Sequence, residues 1–328
     1  MRQKKYKKIF VTGAAGFIGS NLSRKLIEKG YNVIGLDNLS HGSLNNIEDI
    51  LNNKNFKFVK GDIRNKKIIG RLMKDIDCVV HLAAYKIPRY GGAIDTLLVN
   101  SQGTMTVLEA AKRSRAKFIL ASTSDVYGKS KNLPFCEDGD LTLGPTYIMR
   151  WAYAVSKLFN EHLCFAYYHE YGVRICILRF FGAYGINQNL TWWGGPQSLF
   201  ITAAIKKEPM EIHGDGKQTR TFTYIDDTVD GITRAIENEK SAGQIFNIGN
   251  NEEISILDLA RLVWKLVNKN EKPKIKFIPY SKFVKYEDVK RRIPDITKGR
   301  RLLGFKPCVS TKEGLIRTIE WQRKIIGK

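Results

Sequence analysis

Two rhythms of apolar residues alternate along the first 185 residues of the chain. Short strand-like runs occur at residues 9–11, 32–36, 56–59, 78–82, 117–120 and 173–178. Longer stretches with helical spacing fill Phe17–Glu28, residues 94–111 and residues 153–168. This alternation predicts an α/β unit, a parallel sheet covered by helices on both faces. Ligands of such a sheet bind at the carboxyl ends of its strands. After Gly185 the rhythm changes. Residues 187–198 are polar, glycine-containing and aromatic (Trp192-Trp193-Gly194-Gly195-Pro196) and read as a loop. Shorter mixed elements follow, with helices expected at residues 226–237, 256–267 and 312–325. Two units are therefore expected, 1–185 and a smaller lobe over 186–328, with some segments of the second returning to the first.

The first apolar run leads straight into Gly13-Ala14-Ala15-Gly16-Phe17-Ile18-Gly19, where the first helical stretch begins. Strand, glycine turn and helix in that order form a seat for a dinucleotide diphosphate. Gly13 allows the tight turn, Gly16 lets the backbone approach the phosphates, and Gly19 lets the helix pack closely on the strand. The free amides of the helix start then face the anion. The next run ends in Asp37. A carboxylate there can accept both hydroxyls of an adenosine ribose and would repel a 2′-phosphate, which favours NAD over NADP. The expected fold is a Rossmann-type doubly wound parallel sheet with a smaller C-terminal substrate-binding lobe.

Composition narrows the picture. With 328 residues, 43% of them hydrophobic, the chain can bury a large core. No apolar run approaches the roughly 18 residues of a membrane span, and the basic start at residues 1–8 passes directly into the first strand, without a signal-peptide core. The five cysteines (Cys78, Cys136, Cys164, Cys176, Cys308) show no CxxC pair and no metal-ligand spacing. A cytoplasmic protein without a metal site is expected, with Cys78 and Cys176 buried and inert. The net charge is +22, from 54 basic and 32 acidic residues. Because the basic residues are spread along the chain, a lysine-rich solvated surface is the first reading and steering of a phosphate-bearing substrate the second. Nucleic acid, which Lys and Arg would also suit, is disfavoured for want of any recognisable motif.

Two further groups carry chemistry. Tyr153 and Lys157 lie four apart, on one helix face. Free tyrosine, with a pKa near 10, is a poor base at neutral pH; the Lys157 ammonium and a positive nicotinamide ring would both favour the tyrosinate. Ser122, Thr123, Ser124 and Asp125 directly follow the strand at 117–120, where the sheet edge would present a hydroxyl to the nicotinamide.

These residues carry a resemblance. The segments "TGAAGFIGS", Asp37-Asn38, Gly61-Asp62-Ile63, "HLAA", "STSDVYG" and Tyr153-xxx-Lys157 resemble the extended short-chain dehydrogenase/reductase family. More closely, they are similar to its NAD-dependent epimerases, dehydratases and decarboxylases of nucleoside-diphosphate sugars. The resemblance implies an NAD cofactor touched by Gly13, Gly16, Phe17, Ile18, Gly19, Asp37, Asn38, Asp62 and Ile63. Leu82, Ala83, Ala84, Lys86, Asn100, Ser122 and Phe181 complete that set, with Tyr153 and Lys157. It implies catalysis by Tyr153 and Lys157 with Thr123, Ser124 and Asp125, and substrate contacts from Thr123, Gly182, Arg220 and Arg292. Gly182 departs from the family, which usually has a phosphate-binding asparagine there. The resemblance also implies a nucleoside-diphosphate sugar substrate and a homodimer formed through the helices at 94–111 and 153–168.

The shared first step is oxidation at sugar carbon 4, and the fate of the 4-keto sugar decides the reaction. A 4,6-dehydratase generally carries adjacent Asp and Glu after the threonine, whereas this chain has Ser124-Asp125. Decarboxylases match Ser122-Thr123-Ser124, Arg150-Trp151-Ala152-Tyr153 and Arg292 to Ile296, but usually place Glu where Asp125 stands. An epimerase makes the fewest demands here. The expected reaction is therefore a 4-epimerisation of a UDP-sugar, with UDP-glucuronate decarboxylase the first alternative and a nucleotide-sugar dehydratase the second. A family member that binds NAD or RNA without turnover is the alternative of a different class.

Overall fold

The computed structural model describes residues 6–86, 92–269, 271–282 and 287–327. Its first six strands are β1 (Lys8–Thr12), β2 (Asn32–Asp37), β3 (Phe56–Lys60), β4 (Cys78–His81), β5 (Lys117–Thr123) and β6 (Ile175–Phe180). Short strands follow: β7 (Ala183–Tyr184), β8 (Met210–His213), β9 (Thr219–Thr221) and β10 (Thr223–Tyr224), then β11 (Gln244–Ile248), β12 (Glu253–Ser255), β13 (Ile275–Ile278) and β14 (Arg291–Arg292). The main sheet is parallel, in the order β11-β6-β5-β4-β1-β2-β3. Strand order reverses between β1 and β4, so the crevice for a ligand opens at their carboxyl ends. β4 and β5 are buried at every position, as a parallel sheet covered on both faces requires.

The helices are α1 (Phe17–Glu28), α2 (Lys66–Leu72), α3 (Ala93–Ser114), α4 (Trp151–Tyr171), α5 (Pro196–Ile205), α6 (Ile225–Glu237), α7 (Ile256–Asn268), α8 (Thr297–Leu303) and α9 (Thr311–Ile326). α2, α3 and α4 bury Ile69, Val107, Leu108 and Cys164 in one core, and α1 and α6 bury Leu22, Leu26, Val229 and Ile232 in the other. The solvent side of α3 and α4 leaves Ile94, Leu98, Met105, Val155 and Phe159 exposed; it is the face offered above to a second subunit. Cys78 and Cys176 are fully buried, and burial pushes each thiol up to about 12. Among the described residues, no helix is long and apolar enough to cross a membrane.

Two details sharpen the sequence pattern. β11 arises in the second half of the chain yet pairs with β6, so the main sheet draws on residues well past 185. And residues 187–198 are not all loop, because Pro196 opens α5; proline suits that position, where its missing amide would have had no helical partner. The remaining short strands form three small sheets, β10-β7, β12-β9-β14 and β13-β8.

Lys117 ties α6 to the sheet. Its fully buried ammonium donates to the carbonyls of Ala235 at 2.7 Å, Ile236 at 3.3 Å and Asn238 at 2.8 Å, at a helix end where carbonyls have no intrahelical donor; the Ser241 hydroxyl shares the Ala235 and Asn238 carbonyls. Lys117→Met keeps the apolar stem and removes the donor. It should lower stability by about 1–3 kcal/mol, since the Ile236 carbonyl would lose its donor while Ser241 still serves those of Ala235 and Asn238. An unchanged melting temperature would show that α6 is held without this cap.

Candidate active site

The sheet edge is lined by a cavity of about 840 Å³. It runs from the ends of β3 and β2, at Asp62 and Asp37, to those of β5 and β6, at Thr123 and Gly182. Sequence pattern and structure meet most fully at the first end. Gly13 has φ +72°, and a Cβ on it would lie 2.9 Å from the Ala83 amide nitrogen; a Cβ on Gly19 would lie 2.0 Å from the Gly13 carbonyl oxygen. Glycine is thus needed at both. The α1 N-cap, Gly16, offers no side-chain bond, and Gly16, Phe17, Ile18 and Gly19 line the cavity. Asp37, 8% exposed, accepts from the amides of Ala15 at 3.1 Å and Leu39 at 2.8 Å. Asn38, Asp62, Ile63, Leu82, Ala83, Ala84 and Lys86 line the same wall. Beneath it, His81 is buried between the hydroxyls of Thr12, at 2.8 Å, and Thr104, at 3.0 Å. Burial, with the nearby Lys157 charge, pushes its imidazole down to about 3.

Farther along, Ser122, Thr123, Tyr153 and Lys157 converge on the cavity. Tyr153 shares a hydrogen bond with the Thr123 hydroxyl. Lys157 is buried and donates to the Ala121 carbonyl at 2.8 Å. Burial lowers its ammonium to about 8, against the opposing charge of Glu161. Glu161, one helical turn on, pairs with Arg179 at 2.7 Å and accepts from Ser122. The surroundings of Tyr153 differ from the sequence expectation. Burial first, and the negative Asp125 second, hold the phenol well above its ordinary value, while the Thr123 bond opposes them. The protein's own groups thus keep Tyr153 protonated, so a tyrosinate needs positive charge from elsewhere.

Asp125 anchors a lattice of half-buried charge. Arg292 of β14 lies 2.8 Å from it and Arg150, one turn before Tyr153, at 3.4 Å. Burial raises the Asp125 carboxyl, but Arg292 and then Arg150 outweigh it and hold the group well below the usual carboxylate range. Arg292 also reaches the Ser124 hydroxyl at 3.3 Å, and its Nε is buried without a hydrogen-bond partner among the described residues. Arg150 continues to Asp288 at 3.6 Å, and Asp288 to Arg220 at 2.9 Å.

Three residues read as contacts stand outside the cavity lining. Arg220 is engaged with Asp288. Asn100 accepts from the Tyr85 amide at 2.7 Å and donates to the Tyr85 carbonyl at 3.0 Å, so it fixes the loop after β4. Phe181 is buried against Tyr127, with ring centroids 6.0 Å apart. Gly182, which does line the cavity, has φ +53°, and a Cβ there would meet the Thr221 carbonyl oxygen at 2.3 Å. That close approach leaves no room here for the asparagine that the family resemblance led one to expect. Arg150 carried one readable signal, its place one turn ahead of Tyr153. Asp288 carried none, since its partners are far away in sequence.

The glycine turn, the acid after β2 and the Thr-Tyr-Lys group at the far end together define a dinucleotide enzyme of the short-chain dehydrogenase/reductase class. A family model described as GDP-mannose 4,6 dehydratase matches residues 10–318. The chain belongs to the extended short-chain dehydrogenase/reductase family of NAD-dependent nucleotide-sugar epimerases, dehydratases and decarboxylases, and is a nucleotide-sugar-modifying NAD enzyme. It is 36% identical to the UDP-N-acetyl-alpha-D-glucosaminuronate decarboxylase of Bacillus cytotoxicus, over 97% of this chain and 98% of that protein. It is 34% identical to UDP-glucuronic acid decarboxylase 4 of Arabidopsis thaliana, over 99% of this chain and 71% of that one. Among solved structures, the UDP-glucuronic acid 4-epimerase from Bacillus cereus, in complex with UDP-glucuronic acid and NAD, matches with a TM-score of 0.87 at 34% identity. That likeness covers 97% of this chain and 99% of that one.

The charge on Lys157 gives a pH prediction. Its folded value lies below that of a free lysine, so the ammonium persists below about 8 and is lost above it. If that charge supports Tyr153, turnover should fall as pH rises through about 8 with the slope of one proton. A rate–pH profile that stays flat across that value would show that Lys157 acts without its charge.

Proposed function

We propose that the protein is an NAD-dependent decarboxylase of a UDP-uronate. The observation that carries this reading is Asp125, held ionised between Arg292 and Arg150 at the reactive end of the cavity. Arg292, which lines the cavity, offers a charge-assisted bond to a sugar carboxylate. The fixed negative charge of Asp125 beside it disfavours keeping a second carboxylate there. The pair therefore admits a uronate and favours its loss of charge as carbon dioxide. A carboxyl held so firmly ionised is unsuited to donate the proton a 4,6-dehydratase needs for a departing hydroxyl. A neutral-sugar epimerase makes no use of the pair.

NAD, when bound, supplies the acceptor for the carbon-4 hydride and returns it. The residues present suit that group: the uncapped α1 amides face the cavity, and Asp37 would repel a 2′-phosphate. Tyr153 takes the 4-hydroxyl proton, and the positive charge that the half-buried phenol needs then comes from the oxidised coenzyme. Thr123, bonded to Tyr153, orients the 4-oxygen. With carbon 4 a ketone, the uronate is a β-keto acid, so breaking the bond to the carboxyl carbon releases carbon dioxide and leaves an enolate that takes up one proton at carbon 5. Tyr153 gives its proton back to the 4-oxygen, and the net reaction is redox-neutral.

The sequence pattern alone favoured a 4-epimerase, because that reaction makes the fewest demands on the residues after Thr123. Its two guanidinium partners and the decarboxylase relatives now favour the former alternative. Carbon-4 inversion of the same uronate stays the second reading, supported by the likeness to the Bacillus cereus epimerase.

Offering UDP-glucuronate, UDP-N-acetylglucosaminuronate, UDP-glucose and dTDP-glucose to the pure protein separates these reactions. Carbon dioxide and a UDP-pentose product should appear from a uronate, without net NADH, and Tyr153→Phe should abolish turnover. A product inverted at carbon 4 with its carboxylate intact would establish the epimerase instead.

A further inference from the structure

Three aromatic rings meet at the mouth of the cavity, and no step proposed above uses them. His41 lies in the loop after β2, Tyr85 in the loop after β4, and Trp193 between β7 and α5. The His41 and Trp193 rings stack with centroids 4.0 Å apart and planes at 28°. Tyr85 stands edge-on to both, at 5.2 Å from His41 and 5.4 Å from Trp193. Each ring thus touches the other two, and all three line the cavity.

The strand order says what they span. β2 and β4 are the two neighbours of β1, and the turn from Gly13 to Gly16 leaves the carboxyl end of β1. A contact between the loops after β2 and β4 therefore crosses above that turn, where the diphosphate of a dinucleotide would lie. Trp193 then brings the second half of the chain onto the bridge. The loop ends are also braced. Asn100 fixes the Tyr85 backbone through both amide and carbonyl. The Ser43 amide donates to the Ala15 carbonyl at 3.0 Å, and the Lys86 ammonium to the Trp193 carbonyl at 3.5 Å.

We infer that His41, Tyr85 and Trp193 form a clasp that retains NAD as a coenzyme which does not exchange between turnovers. The inference rests on the reading of the site as an NAD site and adds three residues to it. A redox-neutral cycle profits from such a clasp. The coenzyme reduced by one sugar must stay until it reduces the product of that same sugar, and loss in between strands a keto intermediate.

The full-length protein, loaded with radiolabelled NAD and chased with excess unlabelled NAD, tests this without any sugar. Trp193→Ala removes both of its ring contacts and should speed NAD release by about tenfold or more, whereas Trp193→Phe keeps a ring and should stay within about threefold of wild type. His41→Ala, at an exposed position on the other side of the bridge, should also speed release. Trp192→Ala removes the neighbouring indole, which packs on His213 at 4.6 Å instead, and should leave the rate near that of wild type. Release from both Trp193→Ala and His41→Ala at the wild-type rate would overturn the clasp while leaving the NAD site in place. Failure of the wild type to retain NAD at all would overturn both.

Discussion

The ionised state of Asp125 is the constraint on which the site depends. Two guanidinium groups face this half-buried carboxylate and favour its charge, and they come from separate parts of the chain. Arg150 stands where α4 begins, and Arg292 lies on β14 within the small three-stranded sheet. Removing one member of such a half-buried group leaves another charge short of a partner, which is costlier than losing a fully exposed pair. The lattice continues through Asp288 to Arg220, and Arg220 and Arg292 are register partners on β9 and β14. The charge that shapes the reaction also sets where the small sheet rests against the main one.

This arrangement divides the chemistry between two ends of one cavity. At the Asp37 end the backbone does most of the work, through glycine positions that admit no side chain and a helix start with free amides. At the Asp125 end side chains do it, through a phenol kept protonated by burial and an ammonium brought near neutrality. Tyr153 is therefore poised rather than permanently activated. In the proposed reaction, the positive coenzyme ring that accepts hydride also favours the phenolate, which would couple proton removal to the presence of the oxidant.

Local features were legible in the sequence and distant pairings were not. The turn from Gly13 to Gly19, Asp37 and the Tyr153–Lys157 spacing all follow from residues within one strand–helix unit. Helices α3, α4, α6, α7 and α9 showed their periodicity plainly. α5 did not, because its proline and glycine start looks like a loop when the partners of its apolar residues are unknown. The pairing of β11 with β6 was equally hidden, since strand order is settled by packing across the whole chain. Arg292 could be named but its partner could not; Asp125 lies on the other side of the molecule in sequence. The pattern alone ranked the epimerase first because it makes the fewest demands on the residues after Thr123, and the contact that weighs against that ranking was out of view. The clasp was hidden for the same reason: its rings stand on three separated loops.

The most direct measurement is of the variant Asp125→Asn given a UDP-uronate while carbon dioxide release and the absorbance of bound reduced coenzyme are followed together. If the Asp125 charge drives loss of the carboxylate, oxidation at carbon 4 continues, reduced coenzyme accumulates on the protein, and carbon dioxide release slows on the order of a hundredfold. Carbon dioxide release at the wild-type rate, with no reduced coenzyme building up, would contradict it.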